Sequence, residues 1–239
     1  MKALKYMNTS KVGEIGMLQL ADSFFPTGMY TTSSGLEALF YSDKKKMDVE
    51  GLSEIIKVYL KHQIGPADCS ALGSAYDSVQ KKDLQKLIEV DNTLFSMKLI
   101  EEVRNASVRS GTQILNCVTS FILDNDILNR YRNAIRDKSA SGIYPVALAV
   151  ASSTFGIPKY NTGLMMLYGF TVSLIGAALR LGTLRHFDGQ RIIHELKPAI
   201  TEIVEVNIDR PLTSMWQFAP AIDILQITHE GMSSKMFIT

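Results

Sequence analysis

Residues 48–64 read DVEGLSEIIKVYLKHQI, and the spacing within them decides the fold class. Val49, Leu52, Ile55, Ile56, Tyr59, Leu60 and Ile64 recur at steps of three and four, the period that lines one face of an α-helix. A half-buried strand would alternate at every second residue instead. Gly65-Pro66 closes the pattern, so a helix is expected over 48–64 with its end at that dipeptide. Working outward, 68–80 gives a shorter helix through Leu72, Tyr76 and Val79. Residues 92–122 read as one long helix with Leu94, Met97, Ile100, Val103, Ile114, Leu115 and Val118 on its apolar side. Gly111 interrupts it at about 1 kcal/mol relative to alanine, which predicts a close approach by a neighbour. A charged surface helix is expected over 124–138, and PVALAVASSTF (145–155) opens with proline at the first helical position. Over 190–207 the period returns, with Pro198 expected to kink or restart the helix. IVEVNI from Ile203 also fits a strand by its alternation and β-branching.

The one Asp-Gly pair, Asp188-Gly189, lies between helical patterns, so no hairpin signal is present. The fold class is therefore all-α, a single-domain bundle of about eight to ten helices. No fixed-period repeat or long Pro/Ser/Gly linker divides it. Loosely ordered tails are expected over about 1–12 and 230–239.

The chain has 239 residues, 25 Lys plus Arg against 24 Asp plus Glu, and a net charge of +1. That balance offers no broad basic surface for a nucleic acid. Two cysteines, Cys69 and Cys117, cannot form a disulfide framework and read as structural thiols in a reducing compartment. Only 21% of residues are charged and mean hydropathy is +0.07, which leaves more apolar surface than one soluble chain ordinarily hides. The scattered Lys2, Lys5 and Lys11 do not make a secretion signal. Gly163–Leu179 (GLMMLYGFTVSLIGAAL) carries no charge over seventeen residues, short for a bilayer core that asks for about 20. Gly169, Ser173 and Ala177 recur every fourth residue, a stripe that lets another helix approach closely in lipid or in a bundle. A buried central helix is the preferred reading; a small membrane-associated protein built around 163–179 is the alternative.

Chemical motifs are sparse. His194-Glu195 and His229-Glu230 do not extend to the HExxH pattern that puts two imidazoles on one helix face, no glycine-rich loop ends in Gly-Lys-Ser/Thr, and no GxSxG elbow occurs. No catalytic residue and no metal ligand is assigned. The unusual segment is 22–37, DSFFPTGMYTTSSGLE. Ser34 with Glu37 has the capping-box spacing. Phe24, Phe25 and Tyr30 on an irregular stretch either plug the core or present a binding surface.

This segment also carries a resemblance. LQLADSFFPTGMYTTSSGLEA (Leu18 to Ala38) closely resembles the opening signature of the UreF family of urease accessory proteins. EVRNASVRSG, with Glu102, Arg104, Ala106, Ser107, Arg109 and Gly111, is similar to the family's Glu-x-Arg-x-Ala-Ser helix. YPVALAVASSTFGIP, Arg180, Gly189-Gln190, and the ending with Phe218, Pro220, Asp223, His229, Glu230 and Phe237 follow in the family's order. The resemblance implies an all-α, homodimeric, cytoplasmic protein that is not an enzyme. It implies partners: a UreD/UreH-type accessory protein, the UreG-type GTPase and the urease apoprotein, with no nucleic acid and no membrane. No cofactor is expected on the chain itself; it would act in nickel delivery while a partner binds GTP. Partner-binding candidates are Phe25, Pro26, Gly28, Tyr30, Ser33 and Glu37 for the GTPase, on a loop expected to face outward with Tyr30 as an aromatic anchor, and a tail from His229 to Thr239, with Glu230 and Phe237, loose when free, for UreD. Glu102, Arg104 and Arg109 are expected to pair mainly within their helix, and Arg180 and Gln190 complete the family pattern. Where relatives end in Arg-Leu-Phe-Arg, this chain has Lys235-Met236-Phe237-Ile238, which puts a carboxylate contact by the tail in doubt.

Overall fold

The computed structural model describes residues 11–43 and 47–239. In chain order the described helices are α1 (Lys11–Ala21), α2 (Leu36–Ser42), α3 (Val49–Tyr59), α4 (Ser70–Gln80), α5 (Leu84–Met97), α6 (Glu101–Thr119), α7 (Asp126–Arg136), α8 (Tyr144–Thr154), α9 (Lys159–Arg180), α10 (His186–Asn207) and α11 (Pro220–Glu230). Short 3₁₀ turns lie at Met29–Thr31 and Leu212–Ser214. The described residues contain no strand, so the all-α class holds. The expected N-terminal tail lies outside the described residues except for Lys11 and Val12, which are helical.

Helix starts follow local chemistry. Asp48, Asp83 and Asn125 each accept a hydrogen bond from the backbone N–H three residues on, satisfying one orphan donor of α3, α5 and α7. At 65–66 the expectation fails. Leu60–Cys69 forms a π-helical segment that carries the chain through Gly65-Pro66, so α3 and α4 are continuous. The wider π turn accommodates the proline, and Gly65 meets Ile203 and the Asn207 side chain so closely that a Cβ would overlap them. The expected 92–122 helix is instead two, α5 and α6, separated at Lys98, whose backbone turns to the extended region. Pro198 does not interrupt α10, which runs unbroken through 203–207; the strand reading of IVEVNI is not realised.

The core is layered around two apolar helices. From Pro145 to Ser152 every residue of α8 is buried, and its alanines let α4 and α6 pack onto it. Gly111 meets the backbone of Gly142, Ile143 and Tyr144, the close approach its position predicted. The segment entering α8 is pinned by buried Asp91 of α5. Its carboxylate accepts from Tyr131 Oη at 2.7 Å, Gly142 N at 3.1 Å, Ile143 N at 2.9 Å, and Ser141 N.

Helix α9 is long and apolar enough to cross a membrane by length and composition, and 56% of that window is buried inside the protein. It packs on α10, α8 and α1, the place of a core helix. The small-residue stripe does not act as a unit. Ala177 is buried, Ser173 hydrogen-bonds a loop, and a Cβ on Gly169 would meet nothing. The helix contact comes instead at Gly163, against Val204 and Ile208. Lys159 ties the start of α9 to Asp77 and Asp209 at 2.9 and 2.6 Å. Between α10 and α11 the chain is fixed by backbone bonds: Trp216 N donates to Pro66 O, and Phe218 N donates to His62 O at 2.9 Å.

Candidate functional site

The sequence candidates converge where α2, α6, α9 and α11 meet the 22–35 loop. Gly28, at φ +78°, opens the 3₁₀ turn at Met29–Thr31. Ser173 of α9 donates to Met29 O at 2.9 Å and holds that turn on the helix. The three aromatics divide between the two readings left open. Phe25 is buried, whereas Phe24 is 93% and Tyr30 70% exposed. Pro26 is exposed beside them.

The expected Ser34–Glu37 capping box does not form. Ser34 takes φ +54° and Gly35 φ +94°, so the chain enters α2 through left-handed residues, and Glu37 N instead donates to Ser33 Oγ at 3.4 Å. Glu37 is thereby turned inward, where it is 1% exposed. It accepts from Met236 N at 2.7 Å and Phe237 N at 3.0 Å, and faces His229 Nε2 at 3.0 Å. Burial by itself would raise its pKa. The Met236 amide, His229 and the Phe237 amide outweigh that and hold the carboxyl below its ordinary value.

His229, fully buried on α11, lies between two carboxylates: its Nδ1 is 2.7 Å from Glu102 Oε2. Each ring nitrogen thus faces one carboxylate. Glu102 opens α6, and its own N–H donates to Glu230 at 3.0 Å. Lys235 adds a 2.9 Å ion pair to Glu102 and a 3.0 Å bond to Glu230 O. The tail thus makes the carboxylate contact that loss of the family's arginines had put in doubt, with lysine as a point charge rather than a fork.

The tail packs against the rest of the site. Beyond α11 it returns over the loop: Ile238 N donates to Thr31 O at 2.8 Å, and Thr239 O accepts from Ser33 N at 2.6 Å and Ser34 N at 3.0 Å. Ser33 Oγ donates to the same oxygen. Phe237, 3% exposed, lies under Arg180 of α9. The guanidinium carbon is 4.4 Å from the Phe237 ring centroid and 3.9 Å from that of Tyr30. Arg180 Nη2 is buried without a hydrogen-bond acceptor; the two ring faces take that place. Burial pushes the guanidinium pKa down from its usual value.

Three motif residues lie elsewhere. Arg104 does not pair with Glu102; it donates to Lys98 O at 2.9 Å and stands 5.2 Å from the Phe95 ring. Arg109 has no partner among the described residues, and Gln190 is exposed on α10. Tyr59, which donates to Ser34 O, and Ser173 belong to the site yet carried no sequence signal beyond helical spacing. Among the described residues no group of His, Cys, Asp and Glu is arranged to hold a metal ion, because the two nitrogens of His229 point to different carboxylates rather than to a shared centre.

A model of the UreF family matches residues 46–197. The chain belongs to the UreF family. The urease accessory protein UreF of Trichodesmium erythraeum is 30% identical over 97% of this chain and 99% of its own length. The protein of that name from Bacillus sp. strain TB-90 is 28% identical over 94% and 98%, and that from Yersinia enterocolitica serotype O:8 is 27% identical over 97% and 99%. The loop and tail that close over Arg180 lie outside the span matched by the UreF model.

Proposed function

We propose that this UreF-family chain serves urease maturation as a cytoplasmic, non-catalytic adaptor. It would bridge a UreD/UreH-type accessory protein and the UreG-type GTPase on the urease apoprotein, with GTP bound by the partner and nickel as cargo. The observation that carries this reading is the near full-length similarity to proteins named urease accessory protein UreF. The geometry gives the bridge two candidate contacts. Tyr30, held out on a pinned turn with its ring over Arg180, suits an aromatic anchor for the GTPase. The tail, a short segment held by hydrogen bonds, one ion pair and one buried ring, suits a segment exchanged for contacts with UreD.

Self-association fits the remaining apolar surface. Val12, Ile15 and Leu18 point outward from α1, and Tyr168 is exposed on α9 near Gly169, which no neighbour fills. The test is co-purification of the full chain with UreD and UreG, scored for GTP and nickel content. A three-component complex that falls apart on deletion of Met232–Thr239 is expected. Recovery of no complex, or an undiminished UreD association after the deletion, would overturn the bridging reading.

A further inference from the structure

We infer that the groove between α6 and α7 docks an extended acidic segment of a partner protein. Both helices touch the segment that enters α8. Gly111 of α6 meets the backbone of Gly142 and Ile143, and Ile135 of α7 meets Gly142. Asp91 of α5 accepts hydrogen bonds from the Gly142 and Ile143 amides, which ties down the segment that both helices share. The groove has a volume of about 520 Å3 and is lined by Thr112 and Asn116 from α6 and Asn129, Arg132, Asn133 and Arg136 from α7, over Leu115 and Ile135.

Its polar side chains Asn116, Asn129, Arg132, Asn133 and Arg136 are exposed and largely unpaired among the described residues. The side chains of Asn116, Arg132 and Asn133 make no hydrogen bond or ion pair among the described residues. Asn129 uses its amide N–H on Leu123 O at 3.0 Å and keeps its carbonyl. Arg136 has only exposed Asp137 at 3.5 Å. No carboxylate lines the groove, and Arg109, also without a partner, lies one turn before Thr112 on the same helix.

These groups fit one kind of occupant. Asparagine amides donate and accept at once, as a peptide backbone requires, whereas arginine forks match carboxylates. Arg132 and Arg136 are four residues apart, a rise of about 6 Å along the helix. Alternate side chains on an extended strand are about 6.6 Å apart and point the same way. The groove is therefore matched to a chain with acidic residues at every second position, its intervening amides facing Asn129 and Asn133. A polyphosphate backbone is the poorer fit, because it has no use for the amide acceptors and the chain as a whole carries only +1.

The experiment titrates the full chain into a short fluorescein-labelled peptide with glutamates at alternate positions, followed by anisotropy. A lysine counterpart and single-stranded oligothymidylate serve as comparisons. Saturable binding of the glutamate peptide is expected. It should weaken about tenfold or more with Arg132→Glu or Arg136→Glu, the loss of one charge-assisted contact, and also weaken with Asn133→Leu. Unchanged thermal melts would show that the variants fold, and Lys197→Glu on α10, remote from the groove, should leave binding as it was. Absence of binding, equal binding of the lysine peptide, indifference to both arginine reversals, or stronger binding of the oligonucleotide would each overturn the inference. None of these outcomes bears on the tail and loop site, so the two readings fail separately.

Discussion

His229 Nε2 lies 3.0 Å from Glu37 Oε2, a contact that spans 192 residues of sequence and fastens the last helix to the second. The same ring reaches Glu102 on its other side, so one side chain sets the relative positions of three helices. Replacing His229 with alanine leaves two inward carboxylates without their shared partner. A buried polar group left without its hydrogen-bond partner costs about 1–3 kcal/mol, more where it is charged. Urea denaturation should show a loss of that order, and a change below about 1 kcal/mol would show that the pairing does not hold the helices.

The pH dependence follows from Glu37. Its folded pKa is depressed, so its contribution is fully present above the unfolded value of about 4.3 and is lost as pH falls through the lower folded value. The stability gap between wild type and Glu37→Gln should therefore hold from pH 7 to pH 5 and shrink below about pH 4. Denaturant melts at several pH values check this. A gap that widens on acidification would have the wrong sign.

Asp91 pins the segment that enters α8. Asp91→Ala strands the Tyr131 hydroxyl and three backbone amides, each worth about 1–3 kcal/mol when buried and unmet. A loss above about 4 kcal/mol, or failure to fold, is expected by calorimetry. Asp91→Asn keeps an acceptor and should lose visibly less.

Two glycines separate close packing from mere helical cost. Gly111→Ala drives a Cβ into the Gly142 carbonyl and should destabilise by about 1–3 kcal/mol. Gly169→Ala meets nothing and should stabilise by roughly 1 kcal/mol through helix propensity. Thermal melts of the pair, read side by side, decide whether the described packing is right.

Tyr30→Ala should leave the circular dichroism helical and cost about 1 kcal/mol or less, since an exposed ring over a guanidinium contributes little to folding. Capture of a UreG-type GTPase should nonetheless fall by tenfold or more, as for a central aromatic anchor. Unchanged capture would remove Tyr30 from that interface.

The periodic signals were legible where a single helix face decides the outcome, as at Leu52, Ile56, Tyr59 and Leu60, all of which are buried. Breaker residues misled where tertiary packing overrode them. Pro66 sits inside a π turn and Pro198 inside α10, because a helix held by its neighbours tolerates one lost backbone bond. The site was half visible. Tyr30, Ser33, Glu37, Glu102, Arg180, His229, Glu230 and Phe237 do come together. Their pairing was not legible, since contacts such as Glu37 with Phe237 join residues at opposite ends of the chain. Arg109 shows the converse: it belongs to the same run as Glu102, yet it lies seven residues on, about two turns and roughly 10 Å along α6, where it has no partner among the described residues.

Trp216 is the chain's one tryptophan. It is bonded through its backbone to Pro66 and stands 6.2 Å, ring to ring, from His62. It lies four residues before the start of α11, the helix that carries His229, and it is only partly covered. The protein thus contains its own optical reporter. A movement of α11 would change the indole's surroundings and its distance from the His62 imidazole, and intrinsic fluorescence would follow it without any label.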